Sequence, residues 1–284
     1  MKNATKNVTY QEIPQFSDIG EIVGQLCKEF DIGHLAGPSP DGWSRWSTFE
    51  RCPQAYYLRY IKEDRVAGGL AREIGSGFHA FRALARDPEV RAEPSWLMAQ
   101  LLERNANPEA VHEAWRLHTA YEGYYGMEQG VEFLAVEYPV GVKGRGTARY
   151  DGIVKLSGRP ETPDGIYIWE YKTWRALTED AVDGWDLDGE IVGQYTYWKR
   201  YRLDKVFGKL QGLCVDVTVK TKTPQFQRTF VVPRSSLSRV HLQVLNHLRV
   251  RESAHRTSRS WPKYMAGCIT RGRCDYYEHC RRTI

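Results

Sequence analysis

The chain of 284 residues carries two carboxylates and a lysine in neighbouring segments that have the pattern of strands. Asp151 lies in GTARYDGIVKL (146–156), and Glu170 and Lys172 lie in GIYIWEYKT (165–173). Side chains alternate between the two faces of a strand. Glu170 and Lys172 are therefore expected to point the same way, and the aromatic residues between them to point the other way.

These residue types can support one kind of chemistry if the two strands pair. Asp151 and Glu170 can then bind a hard divalent cation such as Mg²⁺, which takes oxygen ligands and keeps several waters. One water becomes the nucleophile, and Lys172 can lower its pKa or hydrogen-bond a scissile phosphate. The set suggests a metal-dependent phosphodiesterase, although an isolated E-x-K triplet is explained more simply by a charge pair on a solvated sheet face.

A second candidate site involves three of the six cysteines, which follow one another at intervals of six near the C-terminus. They are Cys268, Cys274 and Cys280. Clustered cysteines indicate a metal or cluster site, which needs a fourth ligand. Cys52 is the best candidate for it, and the competing donors are His255 and His279, which would make a zinc site. Spacing alone does not choose between zinc and an iron-sulfur cluster.

Composition limits the class of protein. A hydrophobic content of 42% suits one large domain or a core domain with helical additions. The sequence has no run of about 18 apolar residues, so it predicts no membrane span. The polar start lacks the apolar region of a signal peptide, so we expect a cytoplasmic protein. Nine Arg or Lys against three Asp or Glu at 249–282 fit a polyanionic partner, or else a solvated tail.

The elements that must position these residues follow from periodicity and capping signals. Helices are predicted at 19–30, 48–62, 70–85, 108–125, 189–202 and 233–251, and strands at 132–142, 147–156, 166–172, 208–219 and 225–232. Ser47 is the expected N-cap of the second helix. His79 lies in the third predicted helix. An isolated histidine in a helix is typically a structural residue whose hydrogen bonds are satisfied within the protein. The order of the elements indicates an α/β sheet core.

In this order of elements and motifs the chain resembles the PD-(D/E)XK nuclease superfamily. The similar branch is the RecB-like one that carries an iron-sulfur cluster, as in AddB-type and CRISPR-associated adaptation nucleases. The resemblance runs from about Ser44 to Cys280. The motifs that carry it are Ser47-x4-Cys52-Pro53, His79 in GSGFHAFRAL, Glu137 in VEYPV, Asp151 in GTARYDGIVK, Glu170-Tyr171-Lys172, Gln194 in GQYTYW, and the three C-terminal cysteines.

Two features depart from the family's pattern. Five residues separate Cys268 from Cys274 where the family usually has two, which leaves zinc open beside an iron-sulfur cluster. Trp198 stands four residues after Gln194, where the family's Q-x-x-x-Y helix carries a tyrosine. A different aromatic residue would then contact the base or phosphate there.

The resemblance implies a fold and a domain organisation. The fold is a restriction-endonuclease-like α/β structure with a central mixed sheet flanked by helices, and a cysteine-ligated cluster joins its N- and C-terminal segments. We expect an N-terminal segment at 1–43 and a nuclease domain at 44–284. This domain would contain a helical insertion at about 70–128 and the cysteine cluster at about 252–284.

The resemblance also implies roles for the site residues. The implied ligands of Mg²⁺ or Mn²⁺ are His79, Asp151, Glu170 and the carbonyl of Tyr171. Lys172 would assist the attacking water, and Gln194 would help to place the scissile strand. The implied ligands of a 4Fe-4S cluster are Cys52, Cys268, Cys274 and Cys280, with zinc as the alternative.

The function that follows is a Mg²⁺- or Mn²⁺-dependent DNA exonuclease acting on single strands or DNA ends, in recombination, repair or phage DNA metabolism. Arg271 and Arg273 are candidate DNA contacts. The sequence has no P-loop, so unwinding would need a helicase or recombination partner, and a homo-oligomer is a further candidate assembly. The alternatives are a catalytically silent DNA-end-binding or partner-docking module on the same fold, and a cysteine-zinc interaction protein.

Overall fold

The helices and strands of the chain are taken from a computed structural model that describes residues 16–30, 41–64, 69–87, 93–126, 129–142, 144–264, 268, 274–277 and 280. The helices are α1 (Ile19–Glu29), α2 (Trp43–Arg51), α3 (Pro53–Tyr56), α4 (Leu70–Arg86), α5 (Pro94–Glu103), α6 (Pro108–Tyr125), α7 (Glu179–Asp183), α8 (Gly189–Arg200), α9 (Asp204–Phe207) and α10 (Ser235–Ser258). A π-helical turn (Tyr57–Ile61) follows α3, and a 3-10 turn (Trp185–Leu187) precedes α8. The strands are β1 (Val131–Gly141), β2 (Thr147–Leu156), β3 (Gly165–Trp174), β4 (Leu210–Val219) and β5 (Gln225–Val231).

The five strands form one mixed sheet in the order β1-β2-β3-β4-β5. β2 runs antiparallel to both β1 and β3. β3 and β4 are parallel, and β5 returns antiparallel to β4. A parallel pair needs a long crossover connection, and the segment with α7, α8 and α9 provides it. The predicted α/β fold with a central mixed sheet flanked by helices is confirmed.

The two faces of the sheet are covered by different helices, and β3 alternates between them. Ile166 and Ile168 pack in an apolar cluster with residues of α2, α8 and α10. Tyr167, Trp169 and Tyr171 pack in the other cluster, with residues of α1, α4, α5 and α6. The alternation predicted for this strand is confirmed, because its even and odd positions belong to separate layers of the core.

The region around Cys52 differs from the prediction of a single helix capped by Ser47. Helix α2 begins at Trp43 with Gly42 as its N-cap, so Ser47 lies inside it. The helix then ends at Cys52, whose backbone is extended with φ −161° and ψ 106°. Proline disfavours the helical conformation of the residue before it, so Pro53 explains the interruption. A new helix starts at Pro53, where a missing N–H has no cost.

The longest helix, α10, contains 24 residues and extends past its predicted end at 251. Only three of its residues are buried, namely His241, Leu245 and Leu248. No helix in the described part of the chain is both long and apolar enough to cross a membrane.

Residues near the C-terminus contact the start of α4 and the segment before it. Arg72 at the beginning of α4 forms an ion pair of 2.8 Å with Asp275. The hydroxyl of Tyr276 donates a hydrogen bond of 2.8 Å to the carbonyl of Asp64, and its ring is buried. Segments that lie about two hundred positions apart in the sequence thus form one wall of the structure.

Candidate active site

A cleft of about 1250 Å³ opens where β2 and β3 meet α4 and α8. Its lining includes every residue that the sequence singled out for metal binding or catalysis. These residues are His79, Asp151, Glu170, Tyr171, Lys172 and Gln194. Pairing of β2 with β3 and packing of two helices from opposite faces of the sheet bring them together.

Asp151 is held by groups from two directions. Its Oδ2 atom accepts a hydrogen bond of 2.8 Å from the backbone N–H of Tyr171 on the neighbouring strand. The same oxygen lies 3.4 Å from Nδ1 of His79 on α4. Burial alone would raise the pKa of Asp151, but the charge of His79 and these hydrogen bonds lower it below its ordinary value. Asp151 is therefore an ionised carboxylate that faces the cleft.

His79 depends on a close approach of α4 to its neighbours. A Cβ atom at Gly77 would lie 2.8 Å from the Cβ of Ala114 on α6, and one at Gly75 would lie 3.1 Å from Oγ1 of Thr173 on β3. Both distances are shorter than ordinary contacts, so side chains at these glycines would push α4 away. The two glycines before His79 thus let the helix place its imidazole at the edge of the sheet.

The tightest group of candidate metal ligands contains one residue from each of three elements. Ligand atoms of His79, Glu137 and Asp151 all lie within 4.8 Å of one another. Glu137 on β1 has φ +49°, which places a non-glycine residue of a strand in the left-handed region. Such backbone strain is found mainly where the fold holds a side chain for function. Glu137 belonged to the family motifs in the sequence, but it was not among the expected metal ligands.

The charges of this group favour a cation. Burial, and then the charge of Asp151, raise the pKa of Glu137 to about 8. The same two causes raise the pKa of Glu170 to about 8. Burial lowers the pKa of His79, but the nearby carboxylates outweigh it and raise that pKa to about 9. Crowded carboxylates with a histidine are a donor set that suits Mg²⁺ or Mn²⁺, so these residues fit the metal that the superfamily implies.

Glu170 uses both of its oxygens within the protein. Its side chain is 4% exposed, Oε1 lies 2.6 Å from Nζ of Lys172, and Oε2 accepts a hydrogen bond from Nε2 of Gln194. Glu170 lies outside the compact group formed by His79, Glu137 and Asp151. Its position beside Asp151 keeps it a candidate ligand, and its present contacts make it the residue that orients Lys172 and Gln194.

Lys172 has a second carboxylate partner that sequence reasoning missed. Its Nζ lies 2.6 Å from Oε2 of Glu190 in the first turn of α8. Burial lowers the pKa of Lys172, but Glu170 and Glu190 outweigh it and raise that pKa well above its ordinary value. A signal was present in the sequence, because Glu190 precedes Gln194 by four residues and side chains at this spacing share one face of a helix.

Basic and aromatic side chains form another part of the cleft lining. Arg45, Arg59, Trp43, Tyr60 and Trp174 all line it. The guanidinium carbon of Arg45 lies 5.4 Å from the ring centroid of Tyr60, and that of Arg59 lies at the same distance from this ring. Cations and aromatic faces of this kind suit a phosphate backbone and unstacked bases.

The four predicted cysteine ligands lie in one region, and none of them lines the cleft. Cys274 and Cys280 pack against a small apolar cluster that includes buried Cys52, and the N–H of Cys274 donates to the carbonyl of Cys268 at 3.0 Å. Burial and the neighbouring thiols raise the pKa values of Cys274 and Cys280. Within the described part of the chain, no three cysteine sulfurs lie within 4.8 Å of one another.

Four other residues singled out in the sequence do not join the cleft or the cysteine region in the described structure. Arg271, Arg273 and His279 fall outside the described residues, so their roles stay predictions. His255 accompanies Phe49 and Trp261 in an aromatic contact, and its Nδ1 lies 2.8 Å from the carbonyl of Ser260.

Comparison with known proteins adds a family match. A model of the PD-(D/E)XK nuclease superfamily matches residues 43–281. No curated protein matches the chain. Among solved structures, the chain is similar to the crystal structure of a "Putative exonuclease" from Eubacterium rectale, with 13% sequence identity and a TM-score of 0.46 over 100% of this chain and 94% of that one. At this identity and TM-score the structural likeness carries no weight, whereas the family match spans most of the chain.

Proposed function

The chain belongs to the PD-(D/E)XK nuclease superfamily, and we propose on this basis that it is a divalent-metal-dependent deoxyribonuclease. The observation that carries the proposal is the convergence of Asp151, Glu170 and Lys172 with His79 in one cleft. Each has a partner that fixes its orientation, and the carboxylates are crowded enough to favour a cation. In metal-dependent hydrolysis of a phosphodiester bond, the cation activates a water and a positioned positive charge stabilises the phosphorus oxygens.

The proposed ligands of Mg²⁺ or Mn²⁺ are His79, Asp151, Glu170 and the carbonyl of Tyr171, to which we add Glu137. Support for Glu137 comes from its place within 4.8 Å of the His79 and Asp151 ligand atoms and from its unusual backbone. When bound, the ion would supply an activated water and stabilise negative charge on the phosphorus oxygens.

The remaining roles belong to side chains that already hold one another in place. Lys172 keeps its proton between Glu170 and Glu190, so it presents a fixed ammonium group to the scissile phosphate or to the attacking water. Gln194 donates to Glu170 and helps to place the scissile strand. Without metal, the positive charge of His79 keeps Asp151 ionised. As a metal ligand His79 would be neutral, and the charge of the ion would take over this role.

The finer proposal concerns the substrate. We assign exonucleolytic digestion of single-stranded DNA or DNA ends, in recombination, repair or phage DNA metabolism. The arginine and aromatic lining of the cleft supports a flexible strand whose bases can stack. The resemblance of the motifs to the RecB-like branch supports the pathway.

We further propose that Cys52, Cys268, Cys274 and Cys280 hold an iron-sulfur cluster with a structural role. Their common region supports it, because Cys274 and Cys280 pack with Cys52 and the N–H of Cys274 donates to the carbonyl of Cys268. Zinc at the same four sulfurs is the alternative.

The test of the nuclease proposal is digestion of end-labelled single- and double-stranded DNA with Mg²⁺, with Mn²⁺ or with EDTA. Wild type should cleave only with metal, and mononucleotide release from an end would establish exonuclease action. Lys172→Met should be slower by at least about a hundredfold, while Lys155→Met, at an exposed position of β2, should match wild type.

Two outcomes would overturn the proposal in different ways. Folded wild type that binds DNA without cleaving it under any metal condition would identify a silent DNA-binding module. Full activity in Lys172→Met would remove this cleft from the reaction.

A further inference from the structure

The cleft opens where β2 and β3 diverge. Their backbone pairing ends at Gly152 and Trp169, and beyond this point β3 stays paired with β4 alone in the described structure. Tyr171 is the second residue past the fork, and its N–H donates to the side chain of Asp151 on the β2 side. The main chain of Tyr171 therefore lacks the support of one neighbouring strand, at the place where its carbonyl is a proposed metal ligand.

The side chain of Tyr171 lies on the opposite face of β3 and is buried against α4 and α6. Its hydroxyl accepts a hydrogen bond of 3.4 Å from Nη2 of Arg82, whose guanidinium carbon lies 5.3 Å from the centre of the same ring. Phe78 and Tyr121 contact this ring edge-on, with centroid distances of 6.2 and 6.0 Å. Arg82 thus holds both the polar end and the face of Tyr171.

A cavity of about 130 Å³ adjoins Tyr171 behind the strand. Arg82 and Tyr121 line it together with side chains of β1 and β5. Among the described residues no side chain fills this space, so the ring has no fixed neighbours on that side. Packing alone does not define the position of Tyr171, which gives the contacts with Arg82 a specific task.

Arg82 can serve as an anchor because its own position is fixed. Its side chain is 0% exposed, its guanidinium carbon lies 4.0 Å from the ring centroid of Tyr121, and it donates to Glu122. The hydroxyl of Tyr121 in turn donates to Asp216 of β4, which pairs directly beside Tyr171. The guanidinium group is therefore tied to α6 and, through Tyr121, to the strand next to β3.

Arg82 and His79 belong to the same helix and lie three residues apart, so they are neighbours on one face of α4. His79 approaches Oδ2 of Asp151, the same oxygen that accepts the N–H of Tyr171. The contacts form a closed circuit that runs from α4 through His79, Asp151 and Tyr171 to Arg82 and back to α4. A closed circuit fixes the distance between helix and strand, and with it the spacing of the ligand atoms.

We propose that Arg82 is a positioning residue of the metal centre and that it acts through Tyr171. By holding the ring behind the strand, it sets the place of the Tyr171 carbonyl and of the N–H that orients Asp151. This rests on the proposed function, in which that carbonyl and Asp151 are metal ligands. Loss of the anchor should weaken metal binding although every ligand remains, as residues that support metal ligands commonly do.

The sharpest test removes a single oxygen atom. Tyr171→Phe keeps the buried ring and removes the acceptor for Arg82, and its affinity for Mn²⁺ should fall at least about threefold. Electron paramagnetic resonance of Mn²⁺ measures this in the full chain without DNA. Tyr167→Phe is the matched control: this hydroxyl lies on the same face of β3, donates to the carbonyl of Pro163 at 2.9 Å, and should be dispensable for Mn²⁺ binding.

A second pair of variants tests the guanidinium group itself. Arg82→Met should bind Mn²⁺ about tenfold more weakly. Arg86→Met also removes an arginine partner of Glu122 from α4 and should keep the wild-type affinity. If Arg82→Met does not fold, Tyr171→Phe decides the question.

Two further readouts separate positioning from a merely structural role. Urea unfolding in EDTA gives the stability of each variant, and a merely structural Arg82 would lower stability while the folded protein kept its Mn²⁺ affinity. In DNA cleavage, the Mn²⁺ concentration at half-maximal rate should rise in Tyr171→Phe, whereas the rate at saturating Mn²⁺ should stay close to that of wild type.

The proposal is overturned, with the metal site intact, if wild type binds Mn²⁺ and Tyr171→Phe and folded Arg82→Met bind it equally well. It is also overturned if Tyr167→Phe weakens binding as much as Tyr171→Phe, because the loss would then belong to the strand as a whole. Wild type that binds no Mn²⁺ would instead remove the metal site of the proposed function, and the role of Arg82 with it.

Discussion

The ammonium group of Lys172 contacts Glu190, with Nζ of the lysine 2.6 Å from Oε2 of the glutamate. This ion pair joins β3 to the first turn of α8, and on its other side the same ammonium group contacts Glu170. A lysine side chain is a flexible stem of four carbons that ends in a charged ammonium group. Two carboxylates hold that charge in one position, so the helix and the strand jointly define where the cation lies.

Glu190→Gln should lower the rate of DNA cleavage by about tenfold, with little change in DNA affinity. The substitution keeps the shape of the side chain but removes its charge. Of the two carboxylates that contact Lys172, only Glu170 then remains. Single-turnover kinetics and DNA binding in EDTA measure the two effects separately. Glu179→Gln, at an exposed position of α7, is the matched control. A rate equal to that of wild type would show that Glu170 alone orients the lysine.

Glu137→Gln should weaken metal binding by about tenfold or more, because it removes a charged oxygen from the group with His79 and Asp151. Direct binding of Mn²⁺, followed by electron paramagnetic resonance, reports this without DNA. Glu132→Gln, at an exposed position of the same strand, should bind Mn²⁺ as wild type does. Unchanged affinity in Glu137→Gln would restrict the site to the ligands expected from the family motifs.

The contribution of His118 to stability should fall in mild acid. Burial lowers the pKa of this histidine, and the charge of Arg82 lowers it further, to about 4. In an unfolded chain its pKa is about 6.5. Between these values the unfolded state binds a proton at His118 that the folded state does not, so the contribution of this residue to the free energy of unfolding decreases as the pH falls through this window.

His118→Gln should remove that contribution, which is on the order of 1–3 kcal/mol. Urea unfolding of wild type and variant is measured across the window, and wild type should lose more stability, or gain less, than the variant as the pH falls. His112→Gln, at an exposed position of the same helix, should retain the wild-type dependence. A variant of His118 with the wild-type slope would assign the acid sensitivity to other groups.

Cys274→Ala should abolish cluster binding if the four cysteines act together. Protein purified without oxygen should contain iron and acid-labile sulfide and absorb visible light, and the variant should lose all three. Cys27→Ala changes a buried thiol of α1 that packs in a different apolar cluster, and should keep them. A colourless wild type with one zinc ion would replace the cluster by a zinc site.

Local sequence signals predicted much of the sheet and the cleft. The alternation in β3 separated Glu170 and Lys172 from Tyr171, and the structure keeps that separation in two layers of the core. Period-two patterns are reliable here because each face of the strand is buried in a different cluster.

Other features depended on contacts between distant segments. The strained backbone of Glu137 has no signature in the strand pattern, since it arises from the packing of β1 beside the site. The break of the helix at Cys52 was recoverable from Pro53, but the capping preference of Ser47 pointed to the wrong start. The cavity lined by Arg82 was not foreseeable, because α4 and β5 meet there only through the folded core.

The wall formed by Asp64, Arg72, Asp275 and Tyr276 also affects how the chain reaches its native state. During synthesis the segment around Tyr276 emerges much later than Ala55 and Leu58, against which it packs. Closing so long a loop is entropically slow, and contacts of high sequence separation form late. A nascent or truncated chain that lacks this segment therefore exposes an apolar surface beside α3, and chaperone binding to the unfinished protein would be directed there.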